Sequence, residues 1–159
     1  MDGAAAARPR EIRHVVFSLA GMRCAVPIEN VVETGYAPSL SRVPNVPGWV
    51  IGVANLRGDV LAVVDLRSFL GFAPLERREA ARLLVAQSAV FDCRVGFLVD
   101  GLHGALALSP EVIGQAGASI DGRIAGFLRG VVELEGRVLN LLDLEAVFRV
   151  DEMRRLQEG

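Results

Sequence analysis

The sequence contains no lysine, so all 17 residues in the lysine-plus-arginine total are arginines. A nucleotide-binding P-loop needs a lysine on the phosphates, and Schiff-base chemistry and Ser-Lys dyads need a lysine amine. These three mechanisms are excluded. Coding bias is the simplest explanation of the absence, and the exclusion holds whatever its cause.

A basic surface is also lacking. The arginines are outnumbered by 19 aspartates and glutamates, which gives a net charge of −2 and an isoelectric point of about 5.7. Proteins that bind nucleic acid hold its phosphates with a field of basic side chains. The composition therefore disfavours nucleic-acid binding.

Cysteine is scarce, and Cys24 and Cys93 are far apart in the chain. Two such residues form neither a disulfide framework nor a zinc site. Each lies in an apolar segment, so we expect buried free thiols and a reducing, cytoplasmic environment.

Long apolar runs are absent as well. The longest uncharged stretch, residues 43–56, contains Pro44, Asn45, Pro47 and Gly48. It is too interrupted to span a bilayer, which takes about 20 apolar residues. The apolar part of residues 1–10 is too short for a signal peptide, and we expect a soluble protein without membrane insertion.

Catalytic and metal-binding patterns are not found. His14 and His103 have no acidic or cysteine neighbour at ligand spacing, so we expect them to be solvated or incidental. Asp65 and Asp143 could be read as a catalytic pair, but each precedes a short predicted helix, and helix caps are the better interpretation. We therefore predict a binding protein, not an enzyme, with no metal and no cofactor.

Short alternating apolar segments dominate the rest of the chain, which is 52% hydrophobic with a mean hydropathy of +0.39. They predict strands over residues 15–20, 22–27, 49–56, 60–64, 83–90, 93–99, 105–108, 127–134 and 137–142. Helices are predicted over 28–33, over 66–70, and from Asp143 into the charged segment 151–158. Residues 36–48 and 114–126 are predicted loops, and 75–82 an exposed linker. Many short strands and few helices indicate small β-barrels or a sandwich.

An internal repeat relates two segments of the chain at a shift of 78 residues. It aligns Gly52, Leu56, Gly58, Val60, Leu61, Asp65 and Leu66 with Gly130, Leu134, Gly136, Val138, Leu139, Asp143 and Leu144. A looser alignment places residues 26–31 on 97–102. We therefore expect two similar half-domains.

The repeat differs at its turn, where Asn55 and Arg57 stand against Glu133 and Glu135. A shared scaffold keeps glycines and caps alike, so the difference suggests a function for the first copy. Arg57 is either a clamp that bridges carbonyls between the halves or a fork that reaches a partner's carboxylate.

The loop at 36–48 and its flanks carry Tyr36, Val43, Val46 and Trp49. These side chains either cover the end of a barrel or form an exposed apolar patch for a partner.

Several motifs together resemble the CheW domain. They are residues 16–19 (Val-Phe-Ser-Leu), 25–28 (Ala-Val-Pro-Ile), 51–58 (Ile-Gly-Val-Ala-Asn-Leu-Arg-Gly) and 63–67 (Val-Val-Asp-Leu-Arg), with 95–100 and 141–144 in the second half. The resemblance covers residues 12–150. Ala62 departs from the family, which commonly has proline there.

The resemblance implies a mainly β fold of two small five-stranded β-barrels packed about a shared core, with short connecting helices and a C-terminal helix. Residues 12–150 then form a single CheW-like domain of two pseudo-repeated barrel halves. Residues 1–11 are expected to be a flexible tail, and 151–159 the end of the C-terminal helix.

The implied function is that of a chemotaxis adaptor. It would couple the cytoplasmic tips of chemoreceptors, which are methyl-accepting chemotaxis proteins, to the regulatory domain of a CheA-type histidine kinase. One barrel face would meet the kinase, and a groove between the halves would take the helical hairpin of the receptor. The protein would be cytoplasmic and recruited to membrane-associated receptor arrays. The alternative is a CheW-like scaffold in a non-chemotaxis chemosensory pathway, controlling pili or a second messenger.

Six partner-binding residues follow from the resemblance. Val31 and Glu33 match places of partner contact, and Gly52 and Arg57 match places tied to receptor coupling. Asn55 and Gly58 complete the motif together with Leu56, and these three are expected to support it structurally.

Overall fold

The computed structural model describes residues 10–115, 117 and 120–156. The predicted tail at 1–11 lies outside this range except for its last two residues, and residues 157–159 of the predicted C-terminal helix lie outside it as well. The described residues form ten strands: β1 Ile12–Leu19, β2 Met22–Pro27, β3 Val31–Tyr36, β4 Val50–Leu56, β5 Asp59–Asp65, β6 Arg82–Gln87, β7 Arg94–Val99, β8 Gly101–Leu108, β9 Leu128–Leu134 and β10 Arg137–Leu142.

The helices are short: α1 Leu66–Phe69, α2 Gly122–Ala125, α3 Leu144–Phe148 and α4 Asp151–Arg155. The predicted caps are confirmed, because the Ser68 amide donates to Asp65 Oδ1 at 3.3 Å and the Ala146 amide donates to Asp143 Oδ1 at 3.2 Å. None of the helices in the described ranges combines the length and the apolar character needed to cross a membrane.

The predicted helix over 28–33 was wrong. Only Ile28–Asn30 forms a 3-10 turn, and the chain then enters β3, which pairs with β6. Val31, Val32 and Thr34 are β-branched and fit a pleated strand, so pairing with a distant strand overrides the local helical spacing. The C-terminal helix also differs from prediction, because it breaks at residues 149–150 into α3 and α4.

Two five-stranded sheets make up the molecule. Sheet A has the strand order β8-β1-β2-β10-β9, and sheet B has the order β3-β6-β7-β5-β4. The repeat is visible when the two orders are compared place by place. A place that holds a strand of the first half in one sheet holds a strand of the second half in the other sheet. Neither half builds a sheet alone: β1 and β2 belong to sheet A, whereas β3, β4 and β5 belong to sheet B.

The sheets are curled, but they are not the closed barrels that the resemblance implied. In sheet B the loop after β3 meets β4 through one bridge, with Ser41 and Val53 exchanging hydrogen bonds of 2.9 and 2.8 Å. In sheet A the loop after β8 meets β9 in the same way, through Gly114 and Val131 at 2.8 and 2.9 Å. We call the gap between the edge strands β8 and β9 the sheet A seam, and the gap between β3 and β4 the sheet B seam.

The bridges explain why the first glycine of the repeat occurs in both copies, as Gly52 and Gly130. A Cβ on Gly52 would lie 2.6 Å from the Ser41 carbonyl oxygen, and one on Gly130 would lie 2.6 Å from that of Gly114. Both are closer than a real Cβ contact allows. Each glycine therefore lets a loop reach the far edge of its sheet.

A shared core lies between the sheets, as expected. Phe17, Phe97 and Phe148 are fully buried in it, and the Phe97 and Phe148 rings lie 6.0 Å apart between centroids. Two smaller cores fill the concave sides of the sheets, one around Leu61 and Val63 in sheet B and one around Leu139 and Leu141 in sheet A.

Candidate functional site

The candidate site is centred on the turn between β4 and β5. Arg57 and Gly58 have φ angles of 53° and 89°, which is the geometry of a two-residue type I′ hairpin. An arginine is an unusual choice at the first position, where asparagine and glycine are preferred. The Asn55 side chain compensates by accepting a hydrogen bond from the Gly58 amide at 3.1 Å. Asn55 and Gly58 therefore hold the turn that presents Arg57.

Arg57 forms an ion pair across the sheet B seam. Its Nε lies 3.3 Å from Glu33 Oε2 and also donates to Oε1 at 3.4 Å. Glu33 is on β3 and Arg57 follows β4, so the pair joins opposite edges of the sheet. The Arg57 side chain is 80% exposed and that of Glu33 is 32% exposed. Such a pair adds little to stability, and the guanidinium keeps donors for a partner's carboxylate.

Strand β3 also carries exposed apolar side chains, and the alternation of its residues places them on the opposite face from Glu33. Val32 is 40% exposed and Tyr36 is 79% exposed, and the Arg82 guanidinium stacks 4.4 Å from the centre of the Tyr36 ring. The local sequence pattern did not identify Val32 as an exposed strand residue, because the spacing of 28–33 indicated a helix. It also missed Arg82, because only the β3–β6 pairing brings it to Tyr36.

The expected apolar patch around residues 36–49 divides in two. Tyr36 is exposed, whereas Val46 and Trp49 are half-buried and pack against the shared core, with the Trp49 ring 5.0 Å from that of Phe69. Val43 is half-buried and lines a shallow cleft in the same loop. Part of this loop therefore covers the core.

Two of the six predicted binding residues pack into the fold. Gly52 is buried at the Ser41–Val53 bridge, and Val31 is half-buried against the shared core. The structure brings Glu33 and Arg57 together, while Gly52, Asn55 and Gly58 shape the hairpin that carries Arg57.

A groove of about 790 Å³ lies between sheet A, at the β1–β2 turn and β10, and the segments around α1 and α2. Met22, Phe72 and Ile124 supply apolar lining, and the Arg123 guanidinium lies 4.0 Å from the centre of the Phe72 ring. Asp121 accepts hydrogen bonds from the side chain and the backbone amide of Arg123, which lower the pKa of Asp121 to about 2. The groove thus combines apolar side chains with a fixed ion pair.

The cysteines and histidines do not form a reactive centre in the described part of the chain. Burial, with a smaller effect of Asp100, raises the pKa of Cys24 to about 12, and burial also raises the pKa of Cys93 to about 11. Both thiols are buried as expected and stay protonated at neutral pH. Of the two alternatives expected for His14, solvated or incidental, the first does not hold, because His14 is buried and its Nδ1 lies 2.9 Å from the Ile12 carbonyl oxygen. No group of three or more His, Cys, Asp or Glu residues among the described positions is arranged to hold a metal ion.

Comparison with known proteins gives consistent results. The model of the CheW-like domain matches residues 13–152. A probable chemotaxis protein CheW from Rhizobium etli is 32% identical over 87% of this chain and 88% of its own length. The chemotaxis protein CheW of Rhizobium meliloti is 36% identical over 74% of each chain. The crystal structure of the scaffolding protein TtCheW from Thermoanaerobacter tengcongensis has the same fold, with a TM-score of 0.77 at 22% identity, over 90% of this chain and 96% of that one.

Relatives with other names align as well. Protein FrzA of Myxococcus xanthus is 31% identical over 95% of this chain and 93% of its own length. Protein PilI of Pseudomonas aeruginosa is 29% identical over 75% of this chain and 66% of its own length.

Proposed function

The chain belongs to the family of CheW-like domains, and from that premise we propose that it is a chemotaxis adaptor that couples chemoreceptor tips to a CheA-type histidine kinase. The observation that carries the proposal is the match over almost the whole described chain to proteins named for chemotaxis. The protein acts by binding and not by turnover. Its place is the cytoplasm, beside membrane-associated receptor arrays.

Two surfaces support the partner contacts. The groove between sheet A and the α1 and α2 segments has the mixed apolar and charged lining that suits the helical tip of a receptor. The exposed ion pair of Glu33 and Arg57 offers hydrogen-bond donors to a protein partner. Because the pair is exposed, its role in binding outweighs its role in stability.

Binding to both partners tests the adaptor function directly. The full chain is expected to retain a receptor cytoplasmic fragment and a kinase regulatory domain at once in a pull-down, and to raise receptor-dependent kinase activity. Failure to bind either partner would overturn the proposal.

Arg57→Asn tests the proposed contact of the turn. Asparagine suits the left-handed turn position better than arginine, so the variant is expected to melt no lower than the parent. Receptor-stimulated kinase activity should nevertheless fall about tenfold, as for the loss of one charged contact at an interface. Arg155→Asn, an equal charge change at the exposed end of α4, should leave stimulation unchanged. If the Arg57→Asn variant still supported full stimulation of the kinase, Arg57 would not be part of the contact.

A charge exchange separates a direct contact from an internal one. Combining Arg57→Glu with Glu33→Arg restores an ion pair across the seam but inverts its two ends. If Arg57 reaches a carboxylate on the partner, the double variant remains uncoupled. Recovery of coupling would mean that the pair itself, and not the guanidinium, is what the partner needs.

A second candidate function is that of a scaffold in a chemosensory pathway other than chemotaxis. Protein FrzA is similar to this chain over nearly its full length and is not named for chemotaxis, which favours this second function. Deletion of the gene would discriminate, because loss of directed swimming supports the first proposal and intact swimming with another defect supports the second.

A further inference from the structure

The two seams differ at equivalent positions. Glu135 stands where Arg57 stands in the repeat, and both have positive φ in a two-residue turn. The pairing of β3 with β6 has a register shift just before Glu33. The pairing of β8 with β1 has a register shift at the equivalent place, and Gly104 lies there. The ion pair that spans the sheet B seam therefore has no counterpart at the equivalent positions of the sheet A seam.

An open groove of about 650 Å³ occupies the sheet A seam. Its walls come from β8 on one side and from the β9–β10 hairpin on the other, and its apolar floor includes Val16 and Leu139, both almost fully buried. Its polar lining includes Arg23, Glu135 and Arg137.

Two arginines in this lining have no side-chain partner among the described residues. Arg23 and Arg137 form no side-chain hydrogen bond or ion pair within residues 10–115, 117 and 120–156. Arg23 lies opposite Leu139 in the β2–β10 pairing, and Arg137 is two residues before Leu139. They therefore share the face that forms the groove. Glu135 is the only carboxylate among the lining residues, so two cations meet one anion.

The groove is also bordered by backbone that can pair. Strand β8 is hydrogen-bonded to β1 on one side only, and β9 is joined on its outer side only at the Gly114–Val131 bridge, as far as the described residues show. An unpaired strand edge is a template for an added strand. A helix or a compact ligand would leave those backbone groups unused.

We propose that the sheet A seam binds an extended acidic peptide segment of a partner protein. The segment adds to the free edge of β8, places a carboxylate between the guanidinium groups of Arg23 and Arg137, and sets an aliphatic side chain on the apolar floor. Charge-assisted hydrogen bonds from arginine to carboxylate supply selectivity, and the strand pairing supplies orientation. This site lies on the other sheet from the Glu33–Arg57 pair and does not depend on the coupling role of Arg57.

Binding of a designed peptide to the full chain tests the site. The probe is a fluorescent nonapeptide in which a central glutamate and two valines at alternate positions share one face, with threonine elsewhere. A matched peptide carries glutamine at the centre. The glutamate peptide should bind saturably, about fivefold or more tighter than the glutamine peptide, and the difference should shrink at high salt. Equal affinities for the two peptides, or no saturable binding, would overturn the proposal.

Substitutions of the charged lining residues are expected to change the affinity for the glutamate peptide in opposite directions. Arg23→Gln with Arg137→Gln should weaken the glutamate peptide about tenfold and abolish the preference over glutamine. Glu135→Gln removes the competing carboxylate and should tighten the glutamate peptide two- to threefold or so, which keeps the test decisive if the double variant folds poorly. Arg155→Gln is the matched control, with unchanged binding expected.

Hydrogen exchange supplies a readout of strand addition. The amides of Gly101–Leu108 should gain protection when the glutamate peptide binds. Binding without protection in β8 would contradict strand addition. Self-association that is lost in the double variant, without peptide binding, would assign the seam to a second copy of this chain and overturn the peptide proposal.

Discussion

At the scale of single residues, Gly52 decides whether the loop after β3 can close on β4. Its φ of 150° and the 2.6 Å approach that a Cβ would make to the Ser41 carbonyl both require the absence of a side chain. The resemblance to the CheW domain predicts a role in coupling for this residue, and the geometry supplies a structural reason for glycine at this position. A defect caused by substitution here would reach Arg57 through the hairpin.

We expect Gly52→Ala to lower the free energy of unfolding by about 2 kcal/mol, because the bridge must shift or the backbone must strain. Gly35→Ala is the matched control, since Gly35 lies in extended β3 with open space around its Cβ position. Urea denaturation of both variants would check this. Equal midpoints for the two would show that the bridge adapts without loss.

Glu145 is a second residue whose role emerges from its contacts. Its carboxylate accepts hydrogen bonds from Ser88 Oγ at 2.6 Å, the Ala89 amide at 2.7 Å and Asn30 Nδ2 at 3.2 Å. It stands at the repeat position of Arg67, whose guanidinium lies 3.3 Å from Asp100. The two copies thus tie their helix to the segments that follow β6 and β7, with opposite charges on the helix.

Acid is expected to weaken the Glu145 contact. Burial raises the pKa of Glu145, but the hydrogen bonds from Ser88, Ala89 and Asn30 outweigh it, so the pKa is lowered. A lowered folded pKa contributes stability above the unfolded pKa of about 4.3, and that stability is lost as pH falls through the folded value. The difference in melting temperature between the parent and Glu145→Gln should therefore shrink from pH 7 to pH 3. Exposed Glu152→Gln should show no such trend, and parallel curves for Glu145→Gln would contradict the prediction.

At the scale of elements, α4 shows how the end of the chain completes the core. Met153 is fully buried in the shared core, and the Arg154 guanidinium lies 5.2 Å from the centre of the Phe91 ring. The helix begins at Asp151 with two acidic residues and ends with two arginines, which complements its dipole. A five-residue helix is too short to be stable alone, so its packing maintains it.

Met153→Ala is expected to reduce the free energy of unfolding by about 3 kcal/mol, through lost burial and the cavity left behind. Arg155→Ala, on the exposed side of the same helix, should change it by less than about 0.5 kcal/mol. Chemical denaturation monitored by the fluorescence of the single tryptophan, Trp49, would measure both. Similar values for the two variants would mean that α4 contributes little to the core.

At the scale of the whole molecule, the exchange of strands makes the two halves interdependent. Sheet A needs β1 and β2 from the first half and β8, β9 and β10 from the second, and sheet B needs the complement. The parallel pairs β2–β10 and β5–β7 lie at the centre of each sheet and cross between halves.

Cutting the chain in the exposed segment before β6 tests this interdependence. Residues 10–76 and 77–156 are each expected to lack a cooperative unfolding transition, because each would expose central strand edges. Mixing the two fragments should restore the β signal in circular dichroism and dispersed amide resonances. If either fragment folded cooperatively alone, the two halves would not depend on each other for folding.

Local pattern was sufficient for much of the fold. Alternating apolar residues located nearly all the strands, the glycines marked the turns, and Asp65 and Asp143 were recognised as caps. It failed at 28–33, where the spacing of Ile28, Val31 and Val32 indicated a helix and pairing with β6 decided for a strand. At the candidate site the sequence singled out Glu33 and Arg57 separately, and the structure made them one pair.

The sequence by itself determined the repeat, the turns, the caps and the family, because each depends on residues close together in the chain or on a linear motif. Only the tertiary structure decided that the halves exchange strands, that the sheets stay open at their seams, and that Arg57 meets Glu33 across 24 positions. It likewise brought Arg23 and Arg137 onto one face of one groove. These features depend on which distant strand edges meet and in which register, and no local preference of the residues specifies that choice.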